Sequence, residues 1–231
     1  MVERAAEIGF LLLVVAGIPA MSWLTAQDPQ LRTLPRVSLY LSAAASEWLF
    51  VALGLAAVRV ARLGAGELGF RPVSFLTLAG WTMLLAAVSA AGLGLLLVLE
   101  RWGWWPEETE LVYLLMPKTR SEKIWAVALV APTAALAEEF LYRGYLFAII
   151  GRTLHSTTAA WALSSAAFGL AHSYQRPSGM VRAALLGALL AWPVARMGSL
   201  YPSMASHLLI DAVAFGWLGP RMLKPRDWGS A

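Results

Sequence analysis

The chain has 231 residues, of which 59% are hydrophobic and only 14% charged, where a soluble domain carries roughly 25% charge. That profile excludes an ordinary soluble fold and points to a polytopic membrane protein. The 18 basic and 14 acidic residues leave a net charge of +4. The basic residues fall mostly between apolar runs, so anchoring to lipid headgroups explains them; no stacking module or phosphate loop accompanies them, and no nucleic-acid partner is expected. The absence of Cys removes disulfides, thiolate nucleophiles and thiolate ligands, and leaves the redox compartment open.

A helix crosses a bilayer in about 20 apolar residues. Seven segments meet that requirement, some of them marginally: 8–26, 37–60, 74–99, 123–150, 158–174, 179–197 and 202–221. The expected fold is an all-α transmembrane bundle of about seven spans (six to eight). The first run is longer than the core of a signal peptide, and Leu24 stands before Thr25-Ala26 where a cleavage site would want a small residue, so it reads as a span. Asp28-Pro29, Pro35-Arg36, the Gly-rich stretch 59–72, Pro177-Ser178-Gly179 and Gly198-Ser199 punctuate the connections. Short connections imply antiparallel neighbours. The basic 59–73 and C-terminal segments both read as cytoplasmic.

The 100–122 connection has a different character. Trp102, Trp104 and Trp105 suit an interfacial belt. Pro106 followed by Glu107 and Glu108 is a helix-start signal, and Leu111, Leu114 and Leu115 recur at helical spacing. The expectation is a short helix near 106–117 lying in the interface, against the plainer alternative of a solvated loop. No internal repeat appears. The chain divides into residues 1–100, apolar helices without a motif, and residues 120–222, a motif-bearing core, expected to form one integrated membrane domain.

Ionisable residues inside the membrane carry the functional signal, because each costs about 2.5–3.5 kcal/mol at a helix centre even on a lenient scale. Those that lie deep are Glu47, Glu138, Glu139, Arg143, His172, His207 and Asp211. Glu139 and Arg143 stand at i, i+4 and can pair along one helix face. Glu138 is rotated by about 100° and is left without that partner, so one glutamate reads as structural and the other as available for chemistry. Phe168 and His172 share a face at i, i+4, as do His207 and Asp211. Each motif alone also fits a buried polar cluster with no chemistry. His155, in the polar stretch 152–158, reads as a surface residue. If the three stripes converge in a bundle core, they supply a base, orienting groups and potential metal ligands. That set suits hydrolysis: a carboxylate and an imidazole can hold and deprotonate water, and the other imidazole can stabilise an oxyanion. No H-E-x-x-H pattern is present, so a zincin is not indicated.

The runs Glu138-Glu139-Phe-Leu-Tyr-Arg143, Phe168-Gly-Leu-Ala-His172 and His207-Leu-Leu-Ile-Asp211 together resemble the CPBP family of intramembrane proteases. That family includes CAAX prenyl endopeptidases and bacterial proteins linked to bacteriocin maturation and immunity. The resemblance covers roughly residues 120–220; the first three spans match no pattern. It implies a helical core around a polar cavity, in which Glu138 activates water with help from His172. His207 and Asp211 face the oxyanion, and Glu139, Arg143 and Phe168 support the site. The family has been described both as metal-dependent and as glutamate-dependent. A divalent metal such as Zn is therefore compatible, with Glu138, His172, His207 and Asp211 as its candidate ligands. The CAAX endopeptidase members carry Asn where this chain has Asp211. Asn donates a hydrogen bond in any state, whereas Asp donates only when protonated; an ionised Asp211 would instead hold His207 or a metal.

The resulting expectation is an endopeptidase acting on membrane-associated peptides or proteins in the bilayer of a bacterial cytoplasmic membrane. Glu47, outside the motifs, could line the same cavity or pair with a basic residue. Two other classes use buried Glu and His. One is a non-catalytic membrane scaffold or immunity-type partner. The other is a transporter with a buried proton relay, against which stands the lack of repeat halves or a pair of unwound spans.

Overall fold

A computed structural model describes residues 2–107 and 109–218. Among them the regular structure is entirely helical. The first rod joins α1 (Val2–Leu12) to α2 (Ile18–Ala26) through a π-helical turn at Leu13–Gly17. α3 spans Arg36–Ala61 and α4 Phe75–Arg101. The short α5 covers Glu110–Leu115. A second compound rod runs through α6 (Arg120–Trp125), α7 (Ala131–Glu138) and α8 (Phe147–Leu154), with π-helical stretches at Ala126–Val130 and Glu139–Leu146. α9 is Thr157–Ala171, α10 Arg176–Met197 and α11 Tyr201–Val213, the last continued by a π turn at Ala214–Leu218.

All seven expected segments are helical where described, and among the described residues five helices are long and apolar enough to cross a membrane: Glu7–Ala26, Arg36–Ala61, Phe75–Arg101, Arg120–Leu154 and Ser173–Met197. This corrects the count of seven. α9 has 15 residues, about 22 Å at 1.5 Å per residue and short of a hydrocarbon core of about 30 Å. α11 with its π turn is described over Tyr201–Leu218 and is interrupted by the polar His207 and Asp211, and the end of the segment 202–221 lies outside the described residues. Both helices lean on longer neighbours. Trp161 Nε1 donates to the Ala188 carbonyl of α10 at 2.8 Å, and Ser203 Oγ to the Leu190 carbonyl at 2.6 Å.

Three contacts give the register of α3 against the 120–154 rod. Arg36 meets Glu122 at 3.4 Å, Trp48 Nε1 meets Thr133 Oγ1 at 3.2 Å, and a Cβ on Gly54 would lie 2.9 Å from Phe140. Both partners advance together, so the two rods run parallel. α11 runs against that direction: His207 meets Glu139, and a Cβ on Gly216 would lie 3.5 Å from Val127. Its start is held to the connection after α3, where Leu200 N–H donates to the Gly69 carbonyl at 2.7 Å and Ser199 Oγ to the Arg71 carbonyl at 2.8 Å. Gly69 adopts φ +85°, a conformation open to glycine, and a Cβ there would press on Leu200. α11 therefore leaves residues 69–71 and ends beside Val127. The 59–73 segment and the chain leaving α11 sit at opposite ends of the bundle, contrary to the expectation that both face one side; the basic C-terminal residues themselves lie outside the described residues.

The expected helix at 106–117 shortens to Glu110–Leu115. Thr109 caps it through the Val112 N–H at 3.4 Å, and Pro106 does not start it; Glu108 lies outside the described residues. α5 is tied to α3 by Arg36 Nε to the Leu114 carbonyl at 2.6 Å and Tyr40 Oη to the Leu115 carbonyl at 2.8 Å. Trp102 and Trp104 are exposed, as a headgroup belt requires, and His155 is exposed as expected. One core cluster joins Phe10 and Val14 of the first rod, Ala57 of α3, Phe140 to Ile149 of the second rod, and Ala167 and Phe168 of α9. The motif-free N-terminal spans are thus packed directly on the motif-bearing helices.

Candidate active site

The first motif lies where the second rod changes its winding. Glu138 is the last residue of α7, and Glu139 opens the π-helical stretch Glu139–Leu146. Wide π turns inside α-helices recur at functional sites. Every residue of that stretch is buried. Glu139 and Arg143 are both fully buried, with Arg143 Nη1 donating to Glu139 Oε1 at 3.1 Å. The guanidinium also lies on the face of Phe168, 4.1 Å from the ring centre. The pairing expected from i, i+4 spacing is therefore present, and Glu138 is the glutamate it leaves out. A fifth of the Glu138 side chain is exposed, against none of Glu139.

α11 delivers the third motif. His207 Nδ1 meets Glu139 Oε1 at 2.9 Å. A carboxylate accepts, so this bond marks Nδ1 as the donor and turns Nε2 the other way. Nε2 stands 3.8 Å from Glu138 Oε2 and 3.6 Å from Asp211 Oδ2. Glu139 Oε1 thus receives Arg143 and His207 together and fixes the imidazole plane, which leaves one ring edge facing the two carboxylates. His207 also packs edge-to-face on Phe168 at 6.3 Å.

The second motif joins through Phe168. His172 ends α9, and its Nδ1 donates to the Phe168 carbonyl at 2.9 Å. A carbonyl can only accept, so the Nε2 lone pair of the neutral ring is free. The ring stacks between Phe168 at 4.6 Å and Tyr174 at 5.9 Å. The turn that follows is held by the first rod: Ser173 Oγ donates to the Pro19 carbonyl at 2.7 Å. Glu138, Glu139, Arg143, His207 and Asp211 form one connected polar set, and His172 reaches it by way of the Phe168 ring.

Sequence reasoning missed several contributors. Gly187 on α10 makes room for the pair behind the site, since a Cβ there would lie 3.0 Å from Phe168 and 3.1 Å from Arg143 Nη2. Gly169 lets α9 and α10 touch, with a Cβ meeting the Met180 carbonyl at 2.6 Å. Small residues inside apolar helices mark such close approaches. Glu47 of α3 lies within electrostatic reach of Glu138, His207 and Asp211.

The metal reading meets a geometric limit. Among the described residues no three His, Asp or Glu side chains are gathered so as to hold an ion. As placed, Glu138, His172, His207 and Asp211 do not fit a closed metal site.

Residues 120–213 match the family model described as type II CAAX prenyl endopeptidase Rce1-like. No curated protein and no solved structure matches the chain. The matched segment contains all three motifs and the carboxylate–imidazole set they build, and the match supports assigning this part of the chain to the CPBP family of intramembrane proteases.

Proposed function

We propose that the protein is an intramembrane endopeptidase in which Glu138 activates the attacking water. The observation that carries this reading is the division of labour between adjacent glutamates. Glu139 is fully buried and its Oε1 is held by Arg143 and His207, whereas Glu138 is partly open and faces His207 Nε2. The substrate class is a membrane-associated peptide or protein.

In the proposed reaction a water bound at Glu138 gives one proton to that carboxylate, and its oxygen forms a bond to the scissile carbonyl carbon. The Nε2 lone pair of His172 accepts the second O–H and orients the water. Negative charge on the carbonyl oxygen is met by His207, which donates from Nε2 in its protonated form while Glu139 holds Nδ1. Asp211 adds a second donor when protonated. Collapse of the tetrahedral species breaks the C–N bond, and the proton held by Glu138 passes to the leaving nitrogen. A carboxyl and an amine terminus result, and Glu138 is again a carboxylate.

Glu138→Gln, purified in nanodiscs and assayed on fluorogenic membrane-anchored peptides, is expected to lose cleavage by about 10²–10⁴-fold while inserting and melting like wild type. Wild-type cleavage by that variant would overturn the mechanism. Activity is expected to survive chelation in protein free of metal; loss with metal-specific rescue would move the chemistry to a metal centre.

A further inference from the structure

Glu47 lies outside all three motifs, on a span that carries no recognisable pattern, yet it faces the site. Gly54 marks the face of α3 that packs on Phe140, and Glu47 stands seven residues earlier, on the same helix face. The bond from its neighbour Trp48 to Thr133 sets its level on the second rod. α11 runs the opposite way from His207, beside Glu139, to Gly216, beside Val127. Asp211 therefore comes down to the same level as Glu47. The backbone positions of Glu47 and Asp211 lie roughly four to five residues below Glu138, about 6–8 Å along the axis, and the Asp211 carboxylate reaches back to His207 Nε2 at 3.6 Å.

The groups around Glu47 are short of positive charge. Its Oε2 is buried and has no hydrogen-bond partner. The charged groups whose fields reach it are Glu138, Asp211 and His207. Arg143 is committed to Glu139 and to the Phe168 face, and His207 has only one ring edge for three carboxylates. A second, independent feature points the same way. Tyr142 is 2% exposed and its hydroxyl has no hydrogen-bond partner, and it lies within electrostatic reach of Glu138 and Glu47. The phenol of Tyr174, which accepts from Gln175 Nε2 at 2.7 Å, is within reach of Glu138, Asp211 and Glu47. Unpaired carboxylates are costly in an apolar bundle. Carboxylates and phenol oxygens together are acceptors for an ammonium or guanidinium group, and tyrosine rings favour the same cation.

We propose that Glu47, with Asp211, Tyr142 and Tyr174, forms a subsite for a Lys or Arg side chain of the substrate close to the scissile bond, so that Glu47 sets specificity. This rests on the endopeptidase reading of Glu138. An axial offset of about 6–8 Å corresponds to about two residues of extended substrate. The basic residue is therefore expected within two positions of the cleaved bond.

The test scans one Lys through palmitoylated fluorogenic peptides, each paired with a Met counterpart, on full-length protein in nanodiscs. Cleavage by wild type is expected to favour Lys at one position by about tenfold or more in kcat/KM. Glu47→Gln should bring that preference to within about twofold, with the Lys and Met peptides compared on the same variant so that any change in rate common to both cancels. Binding is read in parallel by anisotropy in the uncleaving Glu138→Gln background. There the Lys preference should persist, and it should vanish when Glu47→Gln is added. Equal handling of Lys and Met peptides by wild type, or a preference unchanged by Glu47→Gln, would overturn the proposal and leave the protease reading standing. Glu47-dependent binding without any cleavage would uphold the subsite and overturn the protease reading.

Discussion

Two of the helical rods answer the same membrane in opposite ways. Phe75–Arg101 has the higher mean hydropathy, 2.3, and only 6% of its apolar window is buried in the protein. Arg120–Leu154 has a mean hydropathy of 1.5, and half of its window is buried. In lipid there is no reason to hide apolar side chains, so the more hydrophobic of these two spans faces outward and the less hydrophobic one forms the interior. α4 presents Leu76, Met83 and Leu95 outward, and Leu85 is its one buried residue. The second rod turns Glu139, Arg143 and Tyr145 completely inward. Polarity that would be expensive against lipid is affordable there because α3, α9 and α11 supply partners.

Substitutions in the two rods should therefore differ sharply. Arg143→Leu should have the largest effect on stability. It leaves the Glu139 carboxylate buried without its cation, and a loss of about 3–5 kcal/mol is expected in reversible unfolding from mixed micelles. A loss below 1 kcal/mol would mean that His207 alone sustains Glu139. Next comes Gly169→Ala, whose added methyl meets the Met180 carbonyl and Ala184. Overpacking at about 1–3 kcal/mol should lower the melting temperature. Because His172 ends the same helix, cleavage should fall as well.

A finer probe is Asp211→Asn. The amide keeps a donor beside His207 Nε2, so the variant should keep kcat/KM within about tenfold of wild type. Asp211→Ala removes the donor and should lose more than Asp211→Asn does. Equal losses would show that the charge of Asp211, and not its capacity to donate, is what the site uses. The smallest effect belongs to the lipid-facing rod. Leu76→Ala is expected within about 0.5 kcal/mol of wild type, with unchanged cleavage. A large loss there would mean that α4 carries an interface in the membrane.

The legible part of this molecule is the part written at short range. The i, i+4 spacing of Glu139 and Arg143 predicts their pairing, and the same spacing aligns His207 with Asp211, because a helix converts sequence distance into a known angle. The order of the three motifs carries the resemblance to the CPBP family, and the family match falls on the same segment. The span count is less legible, since apolar composition marks a helix in the bilayer without measuring how far it crosses; α9 is helical as expected but has only 15 residues. The 106–117 helix was placed too early because Pro106 signals a start that Thr109, with its side-chain cap, takes over.

What only the tertiary structure decided depends on register between helices. No spacing along the chain predicts that Glu139 Oε1 would receive both Arg143 and His207, or that Gly187 would clear room for Phe168. The parallel run of α3 beside the second rod brings Glu47 toward Glu138 from a span with no motif. Sequence alone determined which charges must be hidden, because burying them in hydrocarbon is costly wherever they fall. The packing decided which of them are satisfied and which stay free, because that depends on partners brought together by contacts between distant turns.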